Sequence, residues 1–313
     1  RPRPASPTVP GSSAASGRWS RSRLRPRRSR TSGVFVRLSF KTRPQHSEWQ
    51  PIVDFWKEGD RIDLYDAGWT FDHLDPIFSD RSGPVYEGWT MLAALSGIVH
   101  RLRLGVMVTG NTYRHPAVLA NMASTLDVAS GGRLEIGMGT GWVESEHVAY
   151  DIPLPSWKER FDRLEETCEI LHLLFTEEVT NFDGPFHRLE NARALPKPVQ
   201  KPHPPIVIGG TGEKRTLRIA ALWADQWNLP GGDPEVLRHK VEVLHAHCAD
   251  VGRDPAEIEV STKIKADGDP AEFADLVGAF REAGADHIVA MFEAPFDPAN
   301  LGTVAEHLEP VIR

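Results

Sequence analysis

The sequence predicts a (β/α)8 TIM barrel, a single α/β domain in which eight parallel strands are each followed by a helix. Three observations carry that expectation. From Val34 onward, short aliphatic runs alternate with longer segments whose apolar residues recur at helical spacing. Eight such strand-like runs can be counted. The stretch from 34 to 313 holds 280 residues, which suits one barrel of the usual size, about 250 residues. A doubly wound open sheet shows the same alternation, because a sequence counts strands without showing whether the sheet closes.

The first strand is read in "VFVRLSF" (34–40), followed by a helix from about Glu48 to Tyr65 that stops at Gly68 and a second short strand in "WTFDHL" (69–74). A second helix covers "EGWTMLAALSGIVHRL" (87–102) and a third strand "RLGVMV" (103–108). The third helix is well marked. Pro116 stands in its first turn, where a missing N–H is harmless, Leu119, Met122, Leu126 and Ala129 share one face, and Gly131-Gly132 ends it. Strand four, "RLEIGMG" (133–139), leads through a loop to a helix with Trp157, Phe161, Leu164, Cys168 and Leu171 on one face. Residues 176–204, proline-rich and broken by "FDGPFHRLE", read as a segment inserted after this fourth helix, with a small hairpin. The remaining strands are "PIVIGG" (205–210), "ADQWNL" (224–229), "IEVSTKI" (258–264) and "DHIVAMF" (286–292), with a last helix from about Pro298.

Composition narrows the class. The chain is 40% hydrophobic and 25% charged, an ordinary globular balance. No run approaches the roughly 18 apolar residues of a membrane span, so no membrane partner is expected. Residues 1–33 hold nine Arg and no acidic residue, which leaves −16 on the remainder when the nine charges are taken from the net −7. Dense in Pro, Ser and Arg, that stretch is expected to be disordered and to lie outside the native domain, with an Arg- and Ser-rich transit peptide as the alternative. The acidic body argues against nucleic acid, whose binders carry their positive charge on the folded surface. Cys168 and Cys248 suggest neither a disulfide framework nor a metal site, so a reducing cytoplasm is the expected compartment. "LHAHC" (244–248) invites a metal reading, but residues two apart on a helix face different ways, so no metal is expected.

In a barrel the carboxyl ends of all strands open on one face, so polar or glycine-rich residues just after several strands converge there. Four stretches qualify: Asp72-His73, "TGNTYRHP" (109–116), "GTGWVESEH" (139–147) and "GGTGEKRT" (209–216). Glycines after the fifth strand let backbone approach a ligand, and N–H groups opening the next helix suit a phosphate. The stretch is neither a P-loop nor the dinucleotide fingerprint, and glycines at such a turn can also be geometry alone. "GMGTG" (137–141) supplies a second bare backbone, suited to phosphate or to the flank of a planar ring. His73 can give or take a proton, with Asp72 as its neighbour; a structural pair is the plain alternative. Trp69, Trp89, Trp142, Trp223 and Trp227 lie near strand ends or helix starts; most are expected in the core, with Trp142 the best candidate for a cofactor wall. No nucleophile elbow or reactive cysteine setting is present, so covalent catalysis has no candidate.

Over residues 34–313 the blocks "RLRLGVMVTGNTYRHPAVLANMASTLDVASGGRLEIGMGTGW", "KERFDRLEE" and "LPKPVQKPHPPIVIGGTGEKRTLRIAALWADQWN" resemble the bacterial luciferase-like superfamily, and within it the oxidoreductases that use the deazaflavin coenzyme F420. The resemblance implies a cofactor, F420 or, in the monooxygenases of the same superfamily, FMN. It implies that Asp72 hydrogen-bonds the coenzyme and that His73 is the acid/base. It places a non-proline cis peptide at Met107-Val108, Thr109 and Asn111 at the ring edge, Gly139, Thr140, Gly141 and Trp142 along the ring or its side chain, and Gly209, Gly210, Thr211 and Gly212 at the phosphate. Lys214 and Arg215 would reach the anionic tail or be solvated. It also implies a homodimer acting on a small-molecule substrate. Sugar-phosphate dehydrogenases of this branch carry Glu directly after "GTG" where this chain has Trp142, which argues against a sugar phosphate. A cofactor-binding protein without turnover is the alternative of another class.

Overall fold

The computed structural model describes residues 36–312. The Arg-rich stretch 1–33, and Val34 and Phe35 of the first expected strand, lie outside the described residues. Eight parallel strands close into a barrel in the order β1-β10-β9-β8-β7-β4-β3-β2, which decides against an open sheet. They are β1 (Arg37–Thr42), β2 (Tyr65–Thr70), β3 (Arg103–Gly110), β4 (Leu134–Gly139), β7 (Ile206–Gly209), β8 (Gln226–Leu229), β9 (Glu259–Lys265) and β10 (His287–Phe292). The two other strands, β5 (Thr180–Asp183) and β6 (Arg188–Ala192), form the antiparallel hairpin of the inserted segment. The helices are α1 (Trp49–Arg61), α2 (Gly88–Ser96), α3 (Pro116–Ala129), α4 (Glu144–Ala149), α5 (Trp157–Thr176), α6 (Thr216–Trp223), α7 (Pro234–Val251), α8 (Pro270–Glu282) and α9 (Ala299–Ile312). Among the described residues no helix is long and apolar enough to cross a membrane.

Three boundaries differ from the sequence reading. The first helix ends at Arg61, and the second strand runs over Tyr65–Thr70 instead of 69–74. Gly68 is not a helix stop: inside β2 a Cβ there would come within 2.4 Å of the Trp56 ring, so the bare position lets α1 lie close on the sheet. Asp72 and His73 consequently stand in the loop beyond β2. The second helix ends at Ser96 instead of Leu102, because the next residues serve another contact: the backbone N–H groups of His100, Arg101 and Leu102 all donate to the Asp60 carboxylate at 2.8–2.9 Å. α4, between β4 and α5, is absent from the sequence reading.

The larger core lies between strands and helices and includes Trp56, Trp227 and Phe280. A second cluster, Ala67, Trp69, Met107, Val207 and Val289, plugs the barrel interior beneath its open face. At the amino ends of the strands, Arg37 bonds Glu135 at 2.5 Å and Glu259 at 3.1 Å and also pairs with Asp66. Burial works against the Glu135 charge, yet Arg37 and Arg103 hold its carboxyl far below the usual range. This charged plug closes the barrel end remote from the loops where barrel chemistry resides.

Candidate active site

The carboxyl ends of the strands surround a cavity of about 750 Å³, within the size range of small-molecule and cofactor sites. Four separate chain segments meet there. Asp72 and His73 follow β2, Met107 and Val108 lie in β3, Gly139 ends β4 and Thr140 to Trp142 follow it, and Gly209 ends β7 with Gly210 after it; all line the cavity. The tryptophan expectations sort accordingly. Trp69, Trp89 and Trp227 are core, while Trp142 is half exposed on the cavity wall.

β3 departs from regular pairing just where it meets the cavity: its register with β4 shifts between Val106 and Thr109, and the Met107–Val108 peptide is cis. The Lys41 ammonium of β1 reaches across the barrel and donates to the Met107 carbonyl at 2.5 Å. Val108 stands above this bulge as a ridge. A Cβ on Gly139 would come within 2.6 Å of one Val108 methyl, and on Gly209 within 2.8 Å of the other, so both bare positions are what seat the ridge.

On the β2 side, His73 is held by a carboxylate that sequence reasoning left unplaced. Glu146 of α4 is fully buried and accepts from His73 Nδ1 at 2.9 Å and from the Tyr113 hydroxyl at 2.5 Å. It also accepts from the Leu74 and Asp75 backbone N–H groups. Burial raises the Glu146 carboxyl, but these donors prevail and bring it down to about 2. The carboxylate therefore accepts a hydrogen bond from Nδ1–H and leaves Nε2 as the ring nitrogen that can exchange a proton with a ligand. Because the Glu146 value falls from 4.5 in the unfolded chain to about 2 in the folded one, its stabilising contribution is complete above pH 4.5 and is lost as pH drops towards 2. The Glu146→Gln variant is accordingly expected to show a flatter loss of stability than the wild type in urea melts between pH 5 and 3. Parallel acid profiles would contradict this.

Asp72 is fixed by two nitrogens of Arg114, at 2.6 and 3.0 Å, and Arg114 also pairs with Glu87. Against the pull of burial, these carboxylates raise the Arg114 guanidinium above its usual value and keep it charged. Asp72 also accepts from the Gly110 N–H at 3.3 Å, tying the β2 loop to the end of β3. Above His73 an aromatic wall rises: Phe71 meets its ring edge-on at 5.0 Å, Trp142 does so at 6.0 Å, and Phe78 stacks on Trp142 at 5.5 Å.

Five expected contacts do not reach the cavity. Thr109 is fully buried, its hydroxyl accepting from the Trp89 indole N–H at 3.0 Å, because the shifted register turns it away from the lumen. Asn111 lies outside the lining and uses its backbone N–H on the Gly139 carbonyl at 2.9 Å. Thr211 and Gly212 are exposed beyond the rim. Arg215 is engaged by Asp162 at 2.6 Å. Among the described residues no cluster of His, Cys, Asp or Glu could hold a metal ion.

The residues fit a planar redox coenzyme: an apolar ridge flanked by bare backbone, a carboxylate and an imidazole at one side, and room for a second small molecule. A closed barrel with such a cavity at its loop end is a barrel enzyme. The profile of the luciferase-like monooxygenase family matches residues 31–272, and the chain belongs to that family. It is 33% identical over 186 residues to an uncharacterised protein of Mycobacterium tuberculosis, covering 59% of this chain and 64% of that one. It is 29% identical over 233 residues to an F420-dependent glucose-6-phosphate dehydrogenase of Microbacterium testaceum, covering 74% and 68% of the two chains. Among solved structures, an F420-dependent secondary alcohol dehydrogenase in complex with an F420-acetone adduct superposes with a TM-score of 0.79 at 17% identity, over 89% of this chain and 99% of that one. A riboflavin lyase with modified FMN superposes with a TM-score of 0.75 at 14% identity, over 89% and 91%. At these identities the structural likenesses establish the fold.

Proposed function

We propose that the protein is an oxidoreductase dependent on coenzyme F420 that moves a hydride between the deazaflavin and a small organic substrate beside it. The observation that supports this most is the meeting of Asp72, His73, Val108, Gly139 and Gly209 on one cavity. The relatives named for that coenzyme point the same way.

When bound, the coenzyme supplies or accepts the hydride. The chain's own residues do the rest. Val108 would support the ring, with Lys41 bonded to the carbonyl of the preceding Met107, and Gly139 to Trp142 and Gly209-Gly210 would leave backbone room for the remainder of the coenzyme. Glu146 orients the imidazole, and His73 exchanges the substrate's proton at Nε2. Trp142 and Phe78 cover the site from water. The enzyme works on this reading as a cytoplasmic homodimer.

The test is a titration of purified protein with F420 and with FMN, each followed by its own absorbance and fluorescence. F420 is expected to bind at least about a hundredfold more tightly, a difference of about 2.7 kcal/mol. Tight FMN binding without F420 binding would instead make the protein a flavin monooxygenase of the same family.

A further inference from the structure

We propose that Lys41 and Lys263, on the β1 and β9 side of the cavity, form a subsite for a carboxylate of the substrate, so that the substrate is a small organic acid. This rests on the oxidoreductase reading above and adds a substrate class to it.

The charge of the cavity runs against that of the molecule. The chain carries a net −7, yet Lys41, Arg43, Lys263 and Lys265 line the lumen. Asp72 is the carboxylate among the described lining residues, and both its oxygens are taken by Arg114. The two outer cations have carboxylates of their own: Arg43 pairs with Glu293 at 2.6 Å, and Lys265 lies 3.9 Å from both Glu293 and Asp267. The two inner ones do not. Among the described residues no carboxylate lies within ion-pair distance of Lys41 or Lys263.

Lys41 is only 4% exposed, and of its three donors one is used, on the Met107 carbonyl. Lys263 makes no hydrogen bond among the described residues. One buried and one partly buried ammonium group without a counter-ion are unfavourable unless a ligand supplies one. Their state reflects this. Burial lowers Lys41 well below its usual value, helped by Lys263 and Arg43, and burial with Arg43 lowers Lys263 to about 8. An entering carboxylate would remove both penalties by accepting the spare donors.

The neighbouring surfaces limit its size. Met107, Val108, Ile264 and Met291 give the cavity apolar lining beside the pair. A short chain with one carboxylate and one reducible carbon satisfies both kinds of wall. An electron-rich edge of the coenzyme's own ring offers similar acceptor chemistry, so the two sources must be separated by experiment.

The test uses acetate, propanoate, butanoate and benzoate with their amides as probes, titrated calorimetrically into the wild type, Lys263→Gln and Lys263→Arg, without coenzyme and saturated with F420. With F420 bound, carboxylates are expected to bind the wild type at least about tenfold more tightly than amides. Lys263→Gln should abolish the preference and Lys263→Arg should keep most of it. Equal binding of acids and amides overturns the proposal, as does a preference that survives Lys263→Gln. Carboxylate binding that disappears on F420 saturation also overturns it, by assigning the pair to the coenzyme. Should Lys263→Gln not fold, the wild-type ratio of acid to amide still decides. Failure of F420 to bind would remove the oxidoreductase reading alone, since the coenzyme-free titrations still report on the pair.

Discussion

Replacing His73 by alanine is expected to lower turnover by about two to four orders of magnitude, the usual weight of a positioned general acid or base. F420 affinity should stay within about threefold, because the side chain meets the reacting atoms and not the bulk of the coenzyme. What sets these magnitudes is how the imidazole is held. Glu146 fixes Nδ1 at 2.9 Å, and Phe71 and Trp142 pack edge-on against the ring, so that Nε2 has one orientation towards the cavity. Alanine removes the proton exchanger and leaves ridge and glycines in place. Steady-state rates, set beside equilibrium binding of the coenzyme, separate the two effects. Turnover within about fivefold of wild type would show that another group handles the proton.

Arg114→Ala is expected to destabilise the fold by about 3–5 kcal/mol, the cost of stripping a buried carboxylate of its partner. Asp72 is 2% exposed and bonded to two guanidinium nitrogens. The loss extends to Glu87, which caps α2 by accepting from the Trp89 and Thr90 N–H groups at 3.2 and 2.7 Å and is itself anchored by Arg114. The double variant Arg114→Ala with Asp72→Asn should recover part of the loss, since it removes the stranded charge along with its partner. Urea denaturation of the three proteins measures all of this. A single-variant loss below about 1 kcal/mol would mean that water reaches Asp72 and the pair is no more than a surface contact.

Most of the barrel was legible because its strands are short aliphatic runs between amphipathic helices, and β3, α3, β4 and the later strands fall where that alternation puts them. β2 was misplaced because Gly68 reads locally as a helix stop, whereas its role is set by Trp56, twelve residues earlier in sequence and in contact only after folding. In the site, the glycines and the Asp-His pair could be found from their places at strand ends. Thr109 could not be oriented, since the register shift in β3 turns its side chain outward. Glu146 was visible as one of two acidic residues after "GTG", but α4 was not anticipated, and only the helix decides which of the pair faces His73. The basic character of the cavity left no mark on composition, because the acidic surface outnumbers it.

The roles given to these residues all require one planar redox coenzyme in the carboxyl-end cavity. A crystal structure of the protein grown with F420 tests this most directly. The ring is predicted to lie on Val108, with His73 beside it and the chain leaving past Gly139 to Trp142 or Gly209-Gly210. A ring bound elsewhere on the protein, or one whose face is away from Val108 and out of reach of His73, would contradict those roles.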